Sequence, residues 1–333
     1  MRDGQPETLR EAIIHFANED TAHAFMVAIR WPEGPQCPFC GTFNVILLST
    51  RRVFKCKVKG CRKQFTVKRG TIFEDSPLSL GVWFAAAWLI SNCKNGISSY
   101  EIARDLDVCQ KTAWFVLHRL RRAMKAGSFD KKLCGIIEAD ETYIGGKLKN
   151  MHKKKREAKG LTKKAGTRSA GPFAGKSIVT AVLERDGEVR AQMIEDLDPD
   201  VRRAFIRESA EKGSKLMTDM GATRMTDFVH QFIDHAEEYV RGEVHTNGVE
   251  NFWSLLKRGL GGTYISVEPF HLTAYVDEQA FRFNTRKEDD GDRFARTLSQ
   301  VSGKRLTYKE LTRSDIVTIE ESPEPQQSLF EPF

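Results

Sequence analysis

The sequence predicts a mixed α/β fold in three parts: a small cysteine-stapled module, a helical region, and a mixed sheet flanked by helices. Three observations carry that expectation. Two cysteine pairs lie close together near the N-terminus, two short amphipathic helical patterns joined by a tight break follow them, and from Lys131 onward apolar runs of strand length alternate with helical periodicity. Three of the later runs end in acidic or amide side chains, in IIEADETYIGG (Ile136 to Gly146), KLMTDM (Lys215 to Met220) and VHTNGVENFW (Val244 to Trp253). Oxygen ligands from three separated segments are what a site for two divalent cations requires, because hard cations such as Mg²⁺ prefer oxygen and phosphates complete their shells.

Composition bounds the partner. The 333 residues suffice for two or three domains with separate cores. Lys and Arg total 52 against 45 Asp and Glu, and the resulting formal charge of +7 fits a polyanion such as nucleic acid. No run approaches the roughly 20 apolar residues of a membrane span, and the start MRDGQPETLREAI lacks a basic-then-apolar secretion signal. A cytoplasmic protein with reduced cysteines, not a membrane partner, is expected.

The first 75 residues read as an N-terminal helix and a zinc ribbon. Cys37 and Cys40 form CPFC, and fifteen residues later Cys56 and Cys61 form CKVKGC, the layout of two knuckles that donate four thiolates to a tetrahedral Zn²⁺. Gly41 and Gly60 offer backbone freedom for the knuckles, and RRVFKCK and KQFTVKRG read as short strands. The four-residue gap in the second pair is wider than the common two. Four buried free thiols are a poor alternative, since so short and polar a segment buries too little surface to fold without a metal. Cys93, Cys109 and Cys134 sit in apolar contexts and read as core residues.

Residues 76–130 read as helical. PLSLGVWFAAAWLIS, from Pro77 to Ser91, is apolar enough for a buried helix. Beyond it, Ile102, Ala103 and Leu106 share one short helix, and Ala113, Val116, Leu117 and Leu120 share a second; the break from Leu106 to Cys109 has the length of a helix-turn-helix bend. On that reading Gln110, Lys111 and Thr112 open the recognition helix, and Arg119, Arg121 and Arg122 flank it. A plain helical hairpin with solvated arginines is the alternative.

Residues 131–287 alternate strand and helix. LCGIIEADETYIGG places Ile136, Glu138 and Asp140 on one strand face, and two strands, Ser177 to Glu184 and Glu188 to Ile194, form a hairpin around Arg185, Asp186 and Gly187. A helix is expected at about Asp200 to Glu211, then the strand KLMTD, a helix from about Thr226 to Tyr239, a short strand at Glu243 to His245, and a long helix from about Gly248. That order is the plan of an RNase H-like mixed sheet flanked by helices. Strand parity allows either Glu138 or Asp140 as the inward ligand. Glu250 and Lys257 are two helical turns apart and face the same way, while Val249, Trp253, Leu256 and Leu260 form a buried stripe. Asn247 reads either as an N-cap or as a ligand in place of Glu250. His245 reads as orienting the site or as a structural hydrogen-bonding group.

Taken together, WPEGPQCPFCG, CRKQFTVKRGTIFEDSPLSL, the helix-turn-helix segment, EADETYIGGK, TDMG and HTNGVENFWSLLKRGLGGTY closely resemble bacterial insertion-sequence transposases with an N-terminal zinc ribbon and a DDE catalytic domain, the ISXO2-like family, over roughly residues 7 to 287. The resemblance implies Asp140 as the first acid, Asp219 as the second, Glu250 (alternatively Asn247) as the third, and Lys257 as the basic partner. It further implies a structural Zn²⁺ on Cys37, Cys40, Cys56 and Cys61, and two Mg²⁺ or Mn²⁺ ions on Asp140, Asp219 and Glu250. Water would attack at the element's ends, and the freed 3′-hydroxyls would attack target DNA, on a homodimer or larger assembly associated with the nucleoid.

Contacts to DNA are expected from Lys111, Thr112, Arg119 and Arg122, from Arg258, and from Lys153, Lys154 and Lys155. These three lysines belong to a loop, Gly145 to Lys176, that holds eleven Lys or Arg against one acid, Glu157. Phe281, Arg282, Phe283 and Arg286 read as a second DNA wall or as core. Residues 288–333, with KEDDGD and EESPEPQQSLFEPF, read as a linker, a small helical patch and a disordered tail. Two other functions fit parts of the chain: a zinc-ribbon and helix-turn-helix regulator without chemistry, and an inactive transposase-derived scaffold.

Overall fold

A computed structural model of the chain describes residues 5–125, 131–146, 150–158, 161, 175–195, 198–219, 225–233 and 244–312. Two helices open it. The Thr8 side chain caps α1 (Leu9–Phe16), and Asn18 caps α2 (Glu19–Arg30) by accepting the amides of Asp20 and Thr21. The ribbon then forms an antiparallel sheet in the order β1 (Val45–Leu48), β2 (Val53–Cys56) and β3 (Gln64–Phe65). Sequence reading anticipates β2 and β3 but not β1.

Helix α3 (Leu80–Asn92), capped by Ser79, is buried nearly all round, as its continuous apolar sequence demands. A capping box between Ser98 and Glu101 starts α4 (Ser99–Asp105), and α5 (Gln110–Met124) follows a tight bend in which Asp107 takes a positive φ of 50°. Phe16, Met26, Phe73, Trp83, Phe84, Ile102 and Leu117 join these helices in one core.

The second sheet has five strands in the order β6-β5-β4-β7-β8: β4 (Ile136–Ile144), β5 (Ser177–Glu184), β6 (Val189–Ile194), β7 (Lys215–Asp219) and β8 (Val229–Ile233). The first three pair antiparallel, and β7 and β8 run parallel to β4. This is the RNase H-like arrangement. Helix α6 (Lys153–Ala158) lies in the β4–β5 connection, and α7 (Pro199–Ser209), with proline in its first turn, covers one face through Phe205 and Ile206 against Ile137, Ala139 and Leu216. Helices α8 (Asn247–Arg258) and α9 (Pro269–Asn284) cover the other through Val249, Phe252, Val276 and Ala280 against Val179, Ala181 and Leu183.

Two expectations are corrected. The helix expected over Thr226 to Tyr239 is instead strand β8 up to Ile233; residues 234–243 lie outside the described residues. Phe228 and Phe232, four apart, mimic a helical face, but the open edge of β7 offers ladder hydrogen bonds along its whole length. The linker expected from residue 288 is instead helix α10 (Asp290–Ser299), whose Phe294 and Leu298, with Val301, are buried in the N-terminal helical core. The acids that suggested a linker start this helix: the Asp289 side chain accepts the Asp292 amide at 3.0 Å. Residues 301–303 then run beside the ribbon's exit, with the Ile72 amide donating to the Val301 carbonyl, before α11 (Tyr308–Thr312). The expected tail beyond it lies outside the described residues.

Candidate active site and zinc centre

In the ribbon, one sulfur from each of Cys37, Cys40, Cys56 and Cys61 lies within 4.8 Å of the other three. Cys37 and Cys61 are 3.8 Å apart and Cys40 and Cys56 3.6 Å. A tetrahedron with Zn–S bonds near 2.3 Å has edges of about 3.8 Å, so the four thiols fit a zinc ion. Gly41 takes φ +70° as its amide donates to the Cys37 carbonyl, as the first knuckle requires, whereas in the second knuckle the left-handed residue is Arg62, at φ 45°, and not Gly60. Trp31, Phe54 and Phe65 pack beneath the cluster.

On β4, Ile137 and Ala139 face α7, so Glu138 and Asp140 face α8. Parity leaves these two equivalent; their partners do not. Glu138 is fully buried, and its Oε2 accepts the α8 amides of Gly248 at 2.7 Å and Val249 at 3.0 Å while its Oε1 accepts Arg185 Nε at 2.9 Å. It caps α8 from outside the helix. A Cβ on Gly248 would stand 2.7 Å from Glu138 Oε2, so glycine is required for that approach. Asn247 is the first helical residue, behind Thr246 at the cap position, so it is not the N-cap. His245 Nδ1 lies 3.2 Å from Arg185 Nη2, which places His245 in the same support.

Asp140 faces different company. Trp253 Nε1 of α8 donates to its Oδ2 at 2.9 Å. Ala139 pairs with Thr218 in parallel register, so Asp219, the last residue of β7, stands beside Asp140 on the same face. Glu250, exposed in the first turn of α8, accepts the Thr246 hydroxyl at 3.2 Å. Burial, then the charges of Asp219 and Glu250, push the Asp140 carboxyl up to about 6 despite the Trp253 bond. On the opposite face Glu141 is pushed up to about 7 by burial, although Arg202 sits 2.6 Å away. The strand thus delivers a support carboxylate, Glu138, and one residue, Asp140, on an acidic site that β7 and α8 complete with Asp219 and Glu250.

Comparison with known proteins decides what this arrangement belongs to. Residues 132–284 match the ISXO2-like transposase domain, and residues 17–64 match a transposase zinc-ribbon domain. The chain carries an ISXO2-like transposase domain and a transposase zinc ribbon. The transposase is also 28% identical, over 270 residues, to an uncharacterised protein in transposable element ISH50 of Halobacterium salinarum; the match covers 78% of this chain and 89% of that protein. No solved structure matches it.

The transposase's expected DNA-contacting residues fall into two groups. Lys111 is exposed at the start of α5, its Nζ 4.8 Å above the Tyr308 ring, and the Thr112 hydroxyl meets Cys109 Sγ at 3.0 Å. Lys257 and Arg258 are exposed in the last turn of α8, Lys153 and Lys154 are exposed on α6, and Arg122 is half-buried. The side chain of Lys155 and most of the basic loop around it lie outside the described residues. Arg119 is a correction: it is buried, donating to the carbonyls of Leu306 at 3.0 Å and Glu74 at 2.9 Å, because the C-terminal segment packs over α5. Arg121 and Arg282 are likewise buried, and Phe281 and Phe283 are core. Cys109 and Cys134 are exposed, so the core expectation fails for these two, whereas Cys93 is half-buried and packs against the N-terminal helical core. Sequence reasoning missed the roles of Trp253, Glu138 and Arg185. A tryptophan three residues after a candidate ligand was the available signal for the first.

No helix among the described residues is long and apolar enough to cross a membrane.

Proposed function

We propose that this transposase binds the ends of its insertion sequence, hydrolyses a phosphodiester at each end, and transfers the freed 3′-hydroxyls to target DNA. The observation that carries this reading is the convergence of Asp140, Asp219 and Glu250, from β4, β7 and α8, on one face of the sheet. Their hard oxygen donors suit Mg²⁺ or Mn²⁺, and two such ions, when bound, activate the attacking oxygen and stabilise the leaving 3′-oxygen. Trp253 holds one Asp140 oxygen, and Glu138 holds the start of α8, so the protein sets the distance between Asp140 and Glu250 before DNA arrives. Asp140 must be ionised to act as a ligand, which sets an acid limit near pH 6 for the metal-free site. Asn247 keeps the place of an alternative third ligand.

Lys111, Thr112 and Arg122 meet the recognised end, Lys257 and Arg258 hold phosphates beside the site, and Lys153, Lys154 and Lys155 clamp the strand. The working units are the ribbon with its helices (1–75), the helix-turn-helix region (76–130) and the catalytic domain (131–287). Two ends need two active sites, so the active form is a dimer or larger assembly on DNA, acting in the cytoplasm on the nucleoid.

The test is end cleavage and strand transfer with Mg²⁺ or Mn²⁺, using purified protein and DNA carrying the repeats that flank its gene. Joined products that vanish in Asp140→Ala, Asp219→Ala and Glu250→Ala, with end binding retained, support the reading. Tight binding without a cut strand in the native protein moves the assignment to a regulator or scaffold.

A further inference from the structure

The helix-turn-helix region and the catalytic sheet share a buried ionic joint. Glu278 of α9 is fully buried, and its Oε2 accepts Arg121 Nε of α5 at 2.6 Å while its Oε1 accepts both Arg282 Nη1 and the Tyr264 hydroxyl. The Arg121 guanidinium also lies 4.0 Å from the centre of the Tyr275 ring and 5.1 Å from that of Tyr264. Tyr264 ends the wide helical turn, Gly259–Thr263, that continues α8, the helix carrying Glu250, Lys257 and Arg258.

Two further contacts join the same parts. The Thr263 hydroxyl donates to the Asn95 carbonyl at 2.9 Å, in the loop that leads into α4. Beside it, Gly96 takes φ +81°, and a Cβ there would stand 1.9 Å from the Tyr264 hydroxyl oxygen, so only glycine admits the tyrosine. Helix α9 itself belongs to both cores: Phe281 packs with the N-terminal helices, and Leu272, Val276 and Ala280 pack with the catalytic sheet.

Hydrophobic packing alone would join two modules with less angular definition than this. A charge cluster with one carboxylate and two guanidiniums is a poor source of net stability, since desolvation offsets most of its attraction, but its directional bonds tolerate one geometry. The 16 residues of α9 span about 24 Å, and a tilt of roughly 8° at one end displaces the other by about 3.4 Å, the rise of one nucleotide.

We infer that Glu278 and Tyr264, with Arg121 and Arg282, are positioning residues that fix the recognition helix relative to the catalytic helix and so choose which phosphodiester is cut. This rests on the proposed nuclease function. Arg121, Glu278 and Arg282 are buried, so the cluster acts through α5, α8 and α9 and not by direct contact with DNA.

The test maps cut positions at single-nucleotide resolution on end DNA, with affinity for the same DNA measured in parallel, for the native full-length protein, Tyr264→Phe and Glu278→Gln. Tyr264→Phe removes one donor and keeps the ring. The expected result is affinity within about twofold of native, as for a site remote from the recognition contacts, with cuts spread over neighbouring phosphodiesters. A single unshifted cut in a folded variant, whatever its rate, overturns the inference and leaves the cluster a stability element. If one variant fails to fold, the other decides; failure of both to fold also overturns it. A native protein that binds its ends and never cuts sinks the nuclease reading itself, and this inference with it.

Discussion

Two buried carboxylates of the molecule, Glu278 and Asp140, are treated in opposite ways. Glu278 of α9, facing α5, meets Arg121, Arg282 and Tyr264; burial pushes its carboxyl up, but the two guanidiniums overcome that and bring it down to about 2. Asp140, in the acidic site, is desolvated too, yet its near charges are Asp219 and Glu250, and it rises to about 6. A cluster completed from within the chain is a structural joint. A cluster whose charges oppose one another has been kept at a cost in stability, which is where a cation and a phosphate are expected.

The difference is most easily broken at the joint. Arg121→Met should leave Glu278 with half its compensation and destabilise the fold by about 3 to 5 kcal/mol, read as a large fall in denaturation midpoint. A loss below about 1 kcal/mol would mean that the joint contributes little and that the two modules are held by apolar packing.

Opposite signs of pH dependence sharpen the contrast. Asp140 has a folded-state value above its ordinary 3.8, so the folded protein binds the extra proton and metal-free stability should fall as pH rises from about 4 to about 6, by up to about 3 kcal/mol. Glu278 has a folded-state value below its ordinary 4.5, so its contribution is present above pH 4.5 and is lost as pH falls towards 2. Asp140→Asn should therefore raise metal-free stability at pH 7.5 by about 1 to 3 kcal/mol and remove part of the decline above pH 4. A destabilised Asp140→Asn protein would show that the carboxylate is a structural acceptor for Trp253 and not a strained ligand.

Glu138 tests the support beneath the site. Glu138→Ala removes a fully buried acceptor for two helix amides and for the part-buried Arg185, and should destabilise the protein by about 1 to 3 kcal/mol. Glu138→Gln, which keeps an acceptor oxygen, should recover part of that in the same denaturation measurement. Equal stability of the alanine variant and the native protein would leave Glu138 open as a metal ligand.

Much of this was legible in the sequence, and the limits have physical causes. The zinc ribbon could be read from four cysteines because ligand spacing is local. The sheet could be read up to β7 because strand periodicity and turn residues are local too. Strand β8 was not legible, since Phe228 and Phe232 fit either period and the open edge of β7 decides between them. Helix α10 was masked by the acids that cap it, and Arg119 was misread because the chain that buries it arrives 187 residues later, at Leu306. The same limit applied at Glu138 and Asp140: strand parity makes them equals, and only the start of α8 and Trp253, more than 100 positions downstream, separate a cap from a candidate ligand.

The smallest effect is expected at Trp253, where the comparison is made within one carboxylate. Its indole N–H is a side-chain donor that lowers Asp140 against burial and the neighbouring acids. Trp253→Phe keeps an aromatic ring in the core of α8 but removes that bond, so Asp140 should titrate higher and bind a divalent cation less well near pH 6. A neutral donor to a charged acceptor is worth about 1.5 to 3 kcal/mol at most, and a cation that replaces the proton recovers part of it, so the affinity loss should be about three- to tenfold at pH 6 and shrink by pH 8. Calorimetric titration with Mn²⁺ at the two pH values reads this directly. A loss of the same size at both pH values would mean that the smaller ring has moved α8, and with it Glu250, and would assign Trp253 to packing rather than to the ionisation of Asp140.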